Sequence, residues 1–193
     1  MATKRKILIH VCCSACASYV FAILEKEHFD ITALFFNPEL ESKKEFERRL
    51  ADVTNLCQER GVKLVVPEHN SSLFSSPLEP YLDKNSIKYI SDKDRFRRKR
   101  CELCLNLLIN YTVTEARKMK FKYFTTTMLC SPYKDHNQIW DIGVLAAENC
   151  NMVFSYQDFR KGYWTGRNFA RNHEMMIPAF CGCDGSLSEG RLE

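Results

Sequence analysis

The sequence predicts an α/β fold: a doubly wound, mostly parallel sheet with helices on both faces. Three observations carry that expectation. Short, continuous, β-favouring apolar runs, of which Ile7 to Val11 is the clearest, read as strands covered on both sides. The first two such runs bracket a helical segment between Ile7 and Asn37, and a strand, helix and strand at that spacing form a right-handed crossover between parallel neighbours. The alternation then continues to about Tyr156, the pattern of a layered α/β domain rather than of segregated strands and helices.

The elements follow in order. After the strand at Ile7 to Val11, Ser14 is placed to cap a helix whose apolar stripe includes Val20, Phe21 and Leu24 and which runs to about His28. Asp30 to Asn37 is the second strand, closed by Pro38. A helix from Ser42 to Arg60 has Ser42 as cap, Glu45 as its capping-box partner, and Phe46, Leu50, Val53, Leu56 and Cys57 facing inward, with Gly61 as its stop. Val62 to Pro67 is the third strand. Ser71 to Asp94 loses periodicity and reads as loop with short helix. A helix from about Cys101 to Lys118, a strand at Lys122 to Met128, a helix at Asn137 to Asn149 and a strand at Met152 to Tyr156 complete the alternation. A short helix from about Thr165 to Glu174 and an extended Cys-Gly-Cys run precede a polar tail. No repeat, low-complexity linker or composition shift divides the chain, so residues 1–193 are expected to form a single domain.

Composition excludes several classes of function. With 45% hydrophobic and 27% charged residues the chain is built to fold, and a formal charge of +4 gives no pervasive basic field, so an acidic partner needs a local patch. No segment approaches the roughly 18 consecutive apolar residues of a membrane helix. The N-terminus lacks the apolar core of a secretory signal, which points to the cytoplasm. In that reducing compartment, ten cysteines indicate metal binding or redox chemistry rather than a disulfide framework.

Seven of those cysteines fall in three tight groups. Cys12, Cys13 and Cys16 leave the first strand and enter a helix, whose N-terminus lowers thiol pKa and so favours the thiolate that binds metal. Cys101 and Cys104 project from one helical turn. Cys181 and Cys183 flank Gly182, which leaves room for a bulky inorganic centre. Seven thiols exceed the four that close a structural zinc site. A four-iron cluster also takes up to four, so the surplus points to a second metal beside a cluster or to a redox-active pair. Cys57, Cys130 and Cys150 stand singly and read as core, with a small reservation for Cys130. His10 is a donor to a thiolate, a ligand, or a satisfied core histidine.

The strongest basic cluster, Arg95, Arg97, Arg98, Lys99 and Arg100, leads directly into Cys101. On charge alone a solvated loop explains it equally well. Its position beside a metal site points instead to phosphate binding, with Phe96 available to stack on a base. Thr125 to Thr127 place hydroxyls at the end of the fourth strand, on the same edge as Cys12.

Taken together, these motifs resemble the epoxyqueuosine reductases of the QueH type. The resemblance rests on His10-x-Cys12-Cys13 with Cys16, Asn37-Pro38, Arg100-Cys101-x-x-Cys104, Thr125-Thr-Thr with Ser131-Pro-Tyr-Lys134, Asp158-Phe-Arg-Lys161 and Cys181-Gly-Cys183, in family order over nearly the whole chain. Ala15 stands where that family usually has proline, and the segments before Arg100 and between Arg160 and Phe180 differ from its usual pattern. The resemblance implies a Rossmann-like (HUP/PP-loop-like) enzyme that carries a 4Fe-4S cluster with a second metal ion, iron or another, beside it. It further implies that the enzyme reduces epoxyqueuosine in the anticodon loop of tRNA to queuosine.

On that reading Cys101 and Cys104, with cysteines drawn from Cys12/Cys13 and Cys181/Cys183, hold the cluster, and the remaining thiolates with Cys16 hold the second metal. Cys13 and Cys16 are the candidate catalytic residues. The expected partners are tRNA and an external electron-donor protein, since no dinucleotide fingerprint is present. Two rival readings are a thiol- or ATP-dependent tRNA-modification enzyme of related fold and a zinc-stabilised RNA-binding module.

Overall fold

Five strands form the sheet of the computed structural model, which describes residues 4–82 and 93–188. They are β1 (Arg5–His10), β2 (Phe29–Leu34), β3 (Lys63–Val65), β4 (Tyr123–Thr126) and β5 (Val153–Phe154), in the order β3-β2-β1-β4-β5. Every pairing is parallel, with Ile7 opposite both Ile31 and Tyr123, so β1 is central. Ile7, Leu8 and Ile9 are fully buried, as a strand covered on both faces requires. Each such side chain contributes roughly 1.5–3 kcal/mol of burial.

The connections are helical: α1 (Ser14–Lys26), α2 (Lys43–Arg60), α3 (Ser72–Leu82), α4 (Lys93–Lys118), α5 (His136–Cys150), α6 (Tyr163–Asn172) and α7 (Asp184–Ser188). α1 packs against β2, α2 and α6, while α4 packs against β1, β4, α3 and α5, which puts two helical layers around the sheet. The chain winds from β1 to β3 in one direction and from β4 to β5 in the other. The reversal lies between β1 and β4, and open α/β sheets bind their ligands outside the strand ends at that point.

Local chemistry sets the element ends. Ser42 caps α2 by accepting from the Glu45 backbone N–H, and Gly61 closes it at φ 63°, a conformation that favours glycine. The Glu45 carboxylate does not complete a capping box. It accepts from Arg49 Nε at 2.7 Å instead. The expected cap of α1 is displaced by one residue: Cys13 is the N-cap and Ser14 the first helical residue, its hydroxyl buried without a hydrogen-bond partner.

Three other expectations change. β4 is shorter than Lys122 to Met128 because Thr127–Cys130 form a 3-10 turn, with Thr126 accepting from the Met128 N–H. α4 begins at Lys93, so the basic run is helix and not loop, and Cys101 and Cys104 sit two turns inside it rather than at its start. Arg and Lys are good helix formers, which accounts for the extension. Cys181-Gly-Cys183 is a bend rather than a strand, with Gly182 at φ 149° and Cys183 opening α7. Of the segment expected as loop, 72–82 is helix and 83–92 lies outside the described residues, as do 1–3 and the tail after 188. Among the described residues no helix is long and apolar enough to cross a membrane.

Candidate metal centre

The ends of β1, β2 and β4 are tied together below the cysteines. His10 Nε2 lies 3.0 Å from the carbonyl oxygen of Phe36 and must donate to it. Its Nδ1 therefore accepts from the Thr126 hydroxyl, also at 3.0 Å. With both nitrogens satisfied and burial pushing its pKa down to about 4, His10 is a neutral core histidine that fixes three strand ends. Asn37 adds a bond from Nδ2 to the Val11 carbonyl at 2.9 Å. Thr127 accepts from the Cys12 N–H at 3.1 Å and lies 3.3 Å from its sulfur.

On this platform the sulfurs of Cys12, Cys13 and Cys16 lie within 4.8 Å of one another, with Cys12 and Cys13 at 3.9 Å. Tetrahedral coordination with metal–sulfur bonds near 2.3 Å sets ligand sulfurs about 3.8 Å apart, so the trio has the spacing of one metal ion. The helix N-terminus does not lower these thiol pKa values. The Cys13 thiol first, and burial with it, push Cys12 up, and Cys16 is likewise pushed well up, by Cys12 foremost and by burial. Three adjacent sulfurs cannot all ionise without a cation to share, and metal binding supplies that charge. Cys130, fully buried, adds to the upward push on the Cys16 thiol.

A second group forms around Lys134. Its Nζ donates to Cys181 Sγ at 2.7 Å. Burial opposes its charge, but Cys181, Cys104 and Cys101 outweigh that cost and raise its pKa. An ammonium held among thiols occupies the electrostatic place of an inorganic cation. Cys104 and Cys183 are buried, Cys101 and Cys181 half-buried. A cavity of about 60 Å³ is lined by Cys12, Cys13 and Cys16 together with Cys104, Cys181 and Lys134. Five of the seven expected ligands thus lie on its wall; Cys101 acts on Lys134, and Cys183 acts on Cys104.

Two wall residues carry no motif signal. Glu39, on the turn after β2, is 3% exposed with Oε2 lacking a hydrogen-bond partner. Arg49 is 2% exposed and donates to the carbonyls of Phe180 and Cys181 at 3.0 Å each, holding the Cys-Gly-Cys bend against α2. Arg49 was legible only as a charge at an inward position, three residues after Phe46. Lys134 stood inside a recognised motif without a role.

Burial pushes the Glu39 carboxyl from 4.5 up to about 7, against Arg49 and Lys134. The folded state then holds this proton more tightly than the unfolded chain, so stability falls as pH rises from about 4.5 through 7. Glu39→Gln removes the effect. In protein freed of metal the variant should match wild type near pH 4.5 and exceed it by about 3 kcal/mol at pH 8. Thermal unfolding at the two pH values checks this, and an equal difference at both would refute it.

The basic run is split by its helix. Arg97 and Arg98 are exposed and Lys99 pairs with Glu102 at 3.1 Å. Arg100, expected to meet phosphate, is 4% exposed and lies against Gly185 beside Cys183. A guanidinium there serves the C-terminal bend rather than the surface. The side chains of Arg95 and Phe96 lie outside the described residues.

Comparison with known proteins gives a consistent result. A family model described as epoxyqueuosine reductase QueH matches residues 7–189. A relative from Thermotoga maritima, named epoxyqueuosine reductase QueH, is 29% identical over 188 residues, 96% of this chain and 92% of that protein. A Helicobacter pylori protein of the same name is 30% identical over 94% of this chain and 49% of its own length. Among solved structures, the "predicted subunit of tRNA methyltransferase" from Methanocaldococcus jannaschii superposes with a TM-score of 0.55 at 11% identity, covering 86% of this chain and 74% of that one, a likeness of fold.

Proposed function

Because the chain belongs to the QueH family of epoxyqueuosine reductases, we propose that it reduces epoxyqueuosine in tRNA to queuosine with metal held in the cavity between β1 and β4. The observation that carries the reading is one cavity lined by five of the seven cysteines, three of which, Cys12, Cys13 and Cys16, lie with their sulfurs within 4.8 Å of one another.

The residues fit such centres. The mutual spacing of Cys12, Cys13 and Cys16 suits a single ion, which these three thiolates would hold. Cys101, Cys104 and Cys181 about Lys134, with Cys183 beside Cys104 and Cys181, would supply the four thiolates of a 4Fe-4S cluster. When bound, the cluster supplies electrons singly and the ion acts as a Lewis acid at oxygen. The protein's own contribution is to hold both sets of thiolates, keep them dry and bring protons. Removing an epoxide oxygen as water takes two electrons and two protons. Glu39, poised near neutrality in the cavity wall, is a proton carrier, and the Lys134 ammonium offsets thiolate charge.

Residues 1–193 act as one α/β domain, since the site draws on Cys12 and Cys183 alike. The electrons come from an external donor protein, and the enzyme works in the cytoplasm where its tRNA substrate is found. Arg97 and Arg98, with Arg95 and Lys99, grip tRNA phosphates. Replacing Arg97 and Arg98 together by Ala should weaken tRNA binding and flatten its dependence on salt by up to two phosphate contacts. An unchanged slope in a binding titration would remove them from the interface.

The reading is tested by incubating anaerobically purified protein with dithionite and tRNA carrying epoxyqueuosine, then analysing nucleosides by mass. Queuosine should appear in amounts exceeding the protein. Its absence from a preparation containing iron and acid-labile sulfide would overturn the assignment. Protein that binds zinc alone and still binds tRNA would favour the RNA-binding rival.

A further inference from the structure

Four side chains at the mouth of the cavity form a shelf that the reductase chemistry does not use. Tyr163 and Arg167 line the cavity together with the thiols of Cys12, Cys13 and Cys16. Tyr133 and Trp164 stand on either side of Tyr163 in edge-to-face contact, with ring centroids 5.9 and 5.3 Å from its own. Arg167 lies over both Tyr163 and Trp164, at 5.3 and 5.6 Å, and donates to the Tyr163 hydroxyl at 3.1 Å.

The position of the shelf is fixed by close helix packing. α6 approaches α1 so closely that a Cβ on Gly166 would collide with the Ala15 carbonyl oxygen. That contact pins Tyr163 and Arg167, one turn before and one residue after Gly166, against the loop that bears the cysteine trio. The outer rings are left to solvent: Trp164 is 61% exposed and Tyr133 44%. Single exposed aromatics are ordinary, but two exposed rings joined through a third and overlaid by a guanidinium, at the rim of a reactive cavity, make a surface shaped for a partner.

The chemistry of that partner follows from the groups. Flat π faces beside a fixed cation are what unpaired bases of single-stranded nucleic acid stack on, and the cation meets the phosphate that accompanies each base. A base in a loop can be splayed onto such a shelf, whereas a base in a duplex cannot. We propose that Tyr133, Trp164 and Arg167, anchored by Tyr163, bind an unpaired anticodon-loop nucleotide adjoining the modified one and so hold the epoxide over the thiol-lined cavity. This rests on the reductase reading and adds where the RNA is held: at α6 and the turn after β4, apart from the phosphate grip of α4.

The test uses the full chain, loaded with metal, and an anticodon stem-loop carrying epoxyqueuosine, with binding read by fluorescence anisotropy across a salt series. Trp164→Ala should raise Kd roughly 10-fold and Trp164→Ala with Tyr133→Ala roughly 100-fold, within the range spanned by base stacking. Trp164→Phe, which keeps a π face, should stay within about threefold of wild type. Iron and sulfide content should be unchanged in all three, because these rings are exposed. The salt slope should also be unchanged, unlike that of the Arg97 and Arg98 variant, because stacking releases no counterions. A double variant that binds as tightly as wild type would overturn the shelf, leaving the reductase reading standing if wild type still forms queuosine. Wild type that neither binds the stem-loop nor converts it would overturn both.

Discussion

Cys104→Ser should yield anaerobically purified protein without acid-labile sulfide, while Cys16→Ser should keep the sulfide and lose about one metal equivalent. Both variants should lose reductase activity by at least 100-fold, for different reasons. Cys104 is buried in α4 and, with Cys101 and Cys181, raises the Lys134 pKa; the proposed cluster set adds Cys183 to these three. Four thiolates meet the full requirement of a cubane, and loss of one opens a corner in a site of limited depth. Cys16 belongs to the trio whose sulfurs lie within 4.8 Å of each other. A serine there leaves two thiolates, too few to hold an exchangeable ion tightly at neutral pH. Iron, sulfide and total metal measured on the two variants side by side discriminate the sets. If both lost sulfide alike, the cluster would span the cavity and the division into two centres would be wrong.

Much of this arrangement was legible in the residues. Ile7 to Val11, with no polar interruption, identified the central strand, and the strand-helix alternation fixed a parallel doubly wound sheet. That topology alone placed Cys12 and Thr127 on one edge of the sheet. Strand ends were the exception: at β2 and β4 the predicted runs continue two residues or more beyond the ladder. Phe35, Phe36, Thr127 and Met128 lie beyond the ladder yet are buried, which composition cannot distinguish from pairing. The basic run was read as loop because charge masked helix propensity, and Arg100 shows the consequence, a cation buried among its own C-terminal residues.

What sequence pattern did not show is the set of charged groups that make the cavity a site. Glu39 and Arg49 are single residues without spacing signatures, one on a turn and one at an inward helical position. Their roles depend on Phe180 and Cys181, more than 130 residues away from Arg49 along the chain. The trio likewise misled in its electrostatics. A helix N-terminus lowers a lone thiol pKa by attraction, yet in this trio the net shift is upward, Cys13 raising Cys12 and Cys12 raising Cys16 with burial adding to both. Only the distances decide which wins.

Arg49 carries the second large expectation. Its guanidinium spends one face on Glu45 at 2.7 Å and the other on the Phe180 and Cys181 carbonyls, with the Phe180 ring 5.3 Å away. The segment before Cys181 has no strand or helix of its own, so these bonds are what set the Cys-Gly-Cys bend against the cavity. Arg49→Ala leaves the Glu45 carboxylate, only 16% exposed, without its cation and two carbonyls without donors, a loss of roughly 3–5 kcal/mol. For a chain of this size that lowers the melting temperature by about 6–20 °C. Arg49→Lys restores the charge but not the planar fork that reaches two carbonyls at once, so its stability should recover more than its sulfide content does. Thermal unfolding, sulfide analysis and limited proteolysis around residues 173–183 measure the two effects apart. A lysine variant with full sulfide and a wild-type proteolysis pattern would show that charge near the bend suffices. If instead sulfide falls while the fold holds, the arginine fork on α2 is what keeps Cys181 and Cys183 facing the cluster.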